Sequence, residues 1–183
     1  MRIIDITQEL FSCRVYPGDL APSFERVREM PRDVCQVTNL SLCAHNGTHM
    51  DAPLHFIENG QAVDETPLDV FYGPCRVLVD FDEALAACKS EERLLLKGPA
   101  EITEERAKQI ADTGLRLLGV ESQSVAPPGE TARVHQILLG AGMILLEGLV
   151  LSDVLPGSYT LAAFPLKLAG CEGSPVRAVL IDE

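Results

Sequence analysis

His45-Asn46-Gly47-Thr48-His49-Met50-Asp51-Ala52-Pro53-Leu54-His55 places three of the chain's four histidines and a carboxylate within eleven residues. Neutral imidazole and carboxylate are the donors that first-row divalent ions such as zinc and manganese accept, and donors this close converge with little folding. His45, His49, Asp51 and His55 share odd parity, so an extended backbone would turn all four toward one side. A helix competes, because His45 and His49 also stand four apart as in the H-E-x-x-H zinc proteases. Gly47, Thr48 and Pro53 argue against it, and no glutamate follows the first histidine. The segment therefore reads as a strand end running into an ordered loop and as a candidate metal site. The alternative is three unrelated histidines, some exposed and some satisfied in a core.

Working outward, Arg2 to Ile6 and Val37 to Ala44 read as strands, with a type II turn at Tyr16-Pro17-Gly18-Asp19 between them. Arg76 to Asp80 is a strand, Asp82 to Ser90 a helical stretch, and Leu94 to Leu96 a short apolar run. Thr103 suits the N-cap of a helix reaching about Ala111, and Gly114 the position just past its end. A strand at Leu115 to Val120, a short helix at His135 to Leu139 and a buried strand at Met143 to Leu146 follow. Tyr159 to Leu168 and Val176 to Ile181 read as closing strands. Strands alternating with helices through the middle predict an α/β architecture. The absence of repeats, low-complexity tracts or charge blocks makes residues 1–183 one domain.

The 183 residues suffice to bury a sizeable core, and 23% charged with 46% apolar residues is a globular balance. A formal charge of −12 without any Lys/Arg cluster repels phosphate backbones and anionic lipid, so neither nucleic acid nor membrane is expected as a partner. The N-terminal stretch carries acidic residues where a signal peptide needs an apolar run, and no segment approaches eighteen apolar residues. Six scattered cysteines lack a C-x-x-C pair and read as small buried hydrophobes in a reducing cytoplasm. Cys43, two residues before His45, is read the same way and left out of the site.

The fourth histidine, His135, precedes Glu147 by twelve residues, and Glu147 lies inside Met143-Ile-Leu-Leu-Glu147-Gly-Leu-Val-Leu. An ionised carboxylate in an apolar strand carries a desolvation cost of several kcal/mol unless something positive faces it. A metal ion, a strand end open to solvent, or a salt bridge to a residue such as Arg177 would each serve. Taken alone, His135 reads as a surface histidine near a helix N-terminus. No G-x-S-x-G elbow is present and Gly140-Ala-Gly142 lacks the third glycine of a dinucleotide loop, so serine-hydrolase and nicotinamide chemistry have no support.

The segment H-N-G-T-H-M-D-A-P-L-H-F resembles the H-x-G-T-H-x-D-x-P-x-H signature of the metal-dependent cyclase family, which includes the bacterial kynurenine formamidases. His135-Gln-Ile-Leu-Leu, Ile-Leu-Leu-Glu147-Gly-Leu-Val-Leu-Ser, Tyr16-Pro-Gly-Asp19 and Gly119-Val-Glu-Ser-Gln-Ser-Val are similar to further family segments. The resemblance implies a compact α/β domain of the swivelling β/β/α type with a mixed sheet. It implies that His45, His49 and Asp51 hold one divalent ion, zinc or manganese, and that Asp51 bridges to a second completed by His135 and Glu147. His55 is implied to stay unligated as the catalytic proton carrier, Gly47 and Thr48 to shape the loop, and the subunits to associate as homodimers or higher oligomers.

The activity so implied is hydrolysis of a formamide, N-formylkynurenine giving kynurenine and formate, by water activated at the ion. Some relatives open isatin or other cyclic amides, which is the second reading. Pure binding of metal or a small acid without turnover is a third, although histidine and carboxylate sites with a spare histidine suit chemistry better than structural zinc does. With no tryptophan in the chain, stacking on an aromatic substrate must come from Phe, Tyr or His. Tyr16 and Asp19 are the candidates for substrate contact.

Overall fold

The computed structural model describes residues 1–99 and 101–182. In chain order the elements are β1 (Arg2–Asp5), β2 (Ser23–Arg28), β3 (Val37–Ser41), β4 (His49–Asp51), β5 (Tyr72–Leu78), α1 (Phe81–Ala87), β6 (Arg93–Leu96), α2 (Glu104–Ala111), β7 (Leu117–Val120), α3 (Thr131–Gly140), β8 (Ile144–Glu147), β9 (Gly157–Ala162), β10 (Gly173–Pro175) and β11 (Val179–Asp182). Among the described residues nine strands form one mixed sheet in the order β1-β11-β9-β5-β6-β7-β8-β4-β10, while β2 and β3 pair only with each other. The centre, β5-β6-β7-β8, is parallel, and every other neighbour in the large sheet is antiparallel.

The parallel strands carry apolar side chains on both faces because both faces are covered. Leu95, Leu117, Ile144 and Leu146 join Ile6, Met50 and Phe71 in one cluster. Their alternating neighbours Leu94, Leu96, Leu118, Val120 and Leu145 join Ile110 of α2 and Val134, Leu138 and Leu139 of α3 in a second. Asp80 caps α1 by accepting from Glu83 N at 2.9 Å, and Thr103 caps α2 by accepting from Arg106 N at 3.4 Å. The sheet curls around the first cluster, and Val150 N, just past β8, donates to Ile6 O, just past β1, at 3.0 Å. This is the compact, single-domain mixed α/β architecture expected from the sequence.

Several bounds move for identifiable reasons. The helix expected to begin at His135 starts at Thr131, just after Pro127-Pro128-Gly129, which puts His135 in its second turn rather than at its N-terminus. The closing strand expected to reach Leu168 ends at Ala162, and Pro165, which has no N–H to donate, keeps only an isolated bridge to Val176. Strand β2 had no counterpart in the sequence reading. It is exposed along its whole length, as is β3, so neither shows the alternation that burial imposes. Of the described residues, no helix is long and apolar enough to cross a membrane.

Candidate metal centre

The register of β4 builds the centre. This strand lies between β8 and β10, with His49 directly opposite Glu147 and Asp51 opposite Leu145 and Gly173. His49 and Asp51 project toward the helix-covered face while Met50, between them, enters the apolar cluster inside the curl. Helix α3 lies over the same face and lowers His135 onto the pair. His49, Asp51, His135 and Glu147 are each no more than 3% exposed.

His45 arrives from the turn before β4 rather than from an extended strand, so parity describes only His49 and Asp51. That turn is held by the buried Asn46, which accepts from Cys43 N at 2.8 Å and donates to Leu20 O at 3.1 Å. Gly47 turns the chain at φ +64, and Thr48 donates to Gly148 O at 2.6 Å, so these two residues shape the loop. Gly173 leaves room for the incoming ring. A Cβ at that position would lie 2.6 Å from His45 Cε1.

The donors fall into two groups that share Asp51, namely His45, His49 and Asp51, and Asp51, His135 and Glu147. Asp51 Oδ1 is 2.8 Å from His45 Nδ1 and 3.5 Å from His49 Nε2, while Oδ2 is 3.6 Å from His135 Nε2. Glu147 reaches both sides, with Oε2 3.4 Å from His49 Nε2 and Oε1 3.2 Å from His135 Nε2. Its Oε1 also accepts from Val125 N at 2.7 Å. Arg177, the other partner considered for Glu147, pairs with Asp5 at 2.6 Å. Asp51 Oδ2 is buried without any hydrogen-bond partner, as a carboxylate oxygen aimed at a cation would be. All five residues are thus brought together, and their donor chemistry fits divalent ions.

The buried carboxylates raise the proton affinity of the rings they face. Burial alone would lower the His49 pKa, but hydrogen bonding to Glu147 and the charges of Asp51 and Glu147 outweigh it and raise it to about 9. Burial likewise lowers the His135 pKa, but the nearby Asp51 and the hydrogen bond with Glu147 outweigh it and bring it to about 10. At Asp51 burial pushes the pKa up, yet the nearby His135, the hydrogen bond with His45 and the charges of His49 and His45 prevail and hold it well below the ordinary carboxylate range. His55 differs from the other histidines. Its burial and the neighbouring His45 and His135 lower its pKa despite Asp51, which favours a neutral ring. That ring stacks on His45 at 4.1 Å between centroids and belongs to neither donor group.

A cavity of ≈ 220 Å³ opens onto these side chains and is also lined by Tyr16, Asp19, Phe56, Gln123 and Ser124. Asp19 N donates to Tyr16 O at 3.0 Å and Gly18 has φ +104, the geometry of the expected turn. Phe56, Gln123 and Ser124 were not singled out from sequence. Phe56 directly follows the signature and lines the cavity with an aromatic ring. Gln123 and Ser124 lie in the Gly119 to Val125 segment, but Glu121 there turns away to accept from Gly98 N and Leu151 N.

Residues 4–97 match the family model described as "Putative cyclase". A kynurenine formamidase from Salinibacter ruber is 36% identical over all of this chain and 98% of its own length. Among solved structures, a potential metal-dependent hydrolase with cyclase activity superposes with a TM-score of 0.86 at 27% identity, covering 100% of this chain and 98% of that one. Isatin hydrolase A from Labrenzia aggregata gives 0.80 at 26%, covering 100% and 94%. Together with the shared signature now seen folded around one carboxylate, these matches show that the chain belongs to the cyclase family.

Proposed function

We propose that this chain is a metal-dependent amidohydrolase acting on a formamide, and specifically an arylformamidase that converts N-formylkynurenine to kynurenine and formate. The observation that carries the reading is the division of Asp51, whose two oxygens face two different donor groups at 2.8 and 3.6 Å. His45, His49 and Asp51 would hold one divalent ion, zinc or manganese, and Asp51, His135 and Glu147 a second. Such an ion, when bound, supplies a water acidic enough to ionise near neutral pH and polarises a substrate carbonyl.

The chain's own groups account for the rest. His55 stands beside the donor groups with its pKa lowered, so its ring is neutral at neutral pH and can accept a proton from the attacking water and pass it to the departing aniline nitrogen. Phe56 offers a face for the aryl ring, and Asp19, on the same cavity, a carboxylate for the α-ammonium group of the substrate. The reading is supported by the kynurenine formamidase relative, while the isatin hydrolase neighbour supports a cyclic amide as the alternative substrate. Association as a homodimer is supported by the solvent-exposed β2–β3 pair, because a lone two-stranded hairpin is only marginally stable in water. A cytoplasmic location agrees with the free cysteines.

The test is formate release from N-formylkynurenine and from a non-aryl formamide, run beside ring opening of isatin followed by absorbance, with and without chelator. Chelator-sensitive release from N-formylkynurenine at the highest kcat/KM of the panel is expected. Turnover of isatin alone would move the chain to the cyclic-amide reading, and no turnover at all would leave metal binding without catalysis.

A further inference from the structure

We infer that Glu172 is a positioning residue for this centre. Its carboxylate accepts the hydrogen on His45 Nε2 and thereby keeps Nδ1 of that ring turned toward Asp51. The inference rests on the proposed ion site and adds to it a residue outside both donor groups.

Each of the three rings has one nitrogen facing the carboxylates and one facing away. For His49 the outward Nδ1 donates to Gly47 O at 3.0 Å, and for His135 the outward Nδ1 donates to Thr131 O at 2.7 Å. A carbonyl can only accept, so in the neutral ring both hydrogens sit on Nδ1 and both Nε2 atoms keep a lone pair for a cation. His45 is reversed. Its Nδ1 lies 2.8 Å from Asp51 Oδ1, and its outward Nε2 is buried with no hydrogen-bond partner.

Among the described residues no backbone carbonyl takes the role that Gly47 and Thr131 play for the other two rings. Glu172 Oε1 instead stands 3.4 Å from that nitrogen, a few tenths of an ångström beyond a normal bond. Its main chain is fixed by Ala52 N, which donates to Glu172 O at 2.8 Å, and the next residue is Gly173, whose missing side chain admits the ring. The Glu172 side chain is 42% exposed, so it can close this gap without disturbing the core. An outer acceptor of this kind fixes the tautomer and orientation of a ligating histidine, and its loss typically weakens metal affinity about 10- to 100-fold.

The test compares the full-length wild type with Glu172→Ala and Glu172→Gln by Zn²⁺ competition against a chromophoric chelator. Thermal unfolding of the metal-free proteins serves as the fold control. Glu172→Ala is expected to bind Zn²⁺ about tenfold or more weakly, with Glu172→Gln, which keeps an acceptor oxygen, recovering most of the loss. Long-range ¹⁵N–¹H spectra of the zinc-loaded wild type should show His45 with its hydrogen on Nε2. Unchanged affinity in Glu172→Ala, equal weakening in both variants, or a hydrogen on Nδ1 of His45 overturns the inference and leaves the ion site standing. Failure of the wild type to bind any Zn²⁺ removes the ion site and this inference with it. Should Glu172→Ala not fold, the glutamine variant and the spectrum decide.

Discussion

The β4–β8–α3 region and the β2–β3 hairpin are both built from short strands, yet they follow opposite rules. In the first, every residue of β4 and β8 is buried, and register alone decides which side chains meet. In the second, every residue is exposed, and Phe24 and Leu40 face each other across the pair at 52% and 58% exposure. Buried carboxylates must find a positive partner or the fold loses several kcal/mol, so the first region advertises its chemistry. An exposed apolar pair has no such obligation within one chain. The contrast motivates the proposed chemistry in the one and the proposed association through the other.

The largest expected effect strikes the buried region. Asp51→Asn removes the charge shared by both donor groups, and divalent-ion content with formamidase activity should fall to the level of chelator-treated protein, read by elemental analysis and formate release. His55→Ala should lower kcat by about 10²- to 10⁴-fold with ion content unchanged, because the ring lies in neither donor group and is proposed to move protons. Loss of the ion along with activity would make His55 a ligand instead.

A smaller, graded effect is expected with pH. Raised to about 9 and about 10, His49 and His135 hold protons at neutral pH that an incoming cation must displace. Mn²⁺ affinity should therefore rise with pH until both have titrated, with proton release measurable in weak buffer, and a flat profile would break the link between these rings and the ion. Phe24→Ser combined with Leu40→Ser should leave ion content unchanged and shift light scattering toward the monomer. An unchanged mass would deny the hairpin any part in association.

The smallest effect belongs to Arg177→Ala on the exposed rim. Its pairing with Asp5 holds that carboxyl below its ordinary pKa, so the contribution exists above that pKa and vanishes as pH falls through the lowered one. The thermal midpoint should drop slightly at neutral pH and converge with wild type in acid.

The sequence was most informative where burial constrains it. Leu94 to Leu96 and Met143 to Leu146 are too apolar to be anything but covered elements, and Thr103 and Gly114 bracket α2 through cap chemistry that is local. The signature histidines and Asp51 were legible because spacing and donor type coincide. Glu147 was legible as an anomaly whose partner was not, since a twelve-residue separation from His135 says nothing about how α3 crosses β8. Residues set by long-range register stayed hidden. Gly173 looks like any loop glycine until β10 brings it opposite Asp51, and Phe56, Gln123 and Ser124 carry no mark of the cavity they line. Strand β2 escaped because its stability comes from pairing with β3 rather than from a buried face.

Strand β4 is three residues long, and its alternation sends His49 and Asp51 one way and Met50 the other. Slipping that strand by one position against β8 would bury two polar side chains in the oily interior of the curl and present a thioether to the cavity. The correct fold and the assembled centre are therefore a single event for this molecule, and mispaired chains should appear as unfolded protein rather than as folded protein of reduced activity.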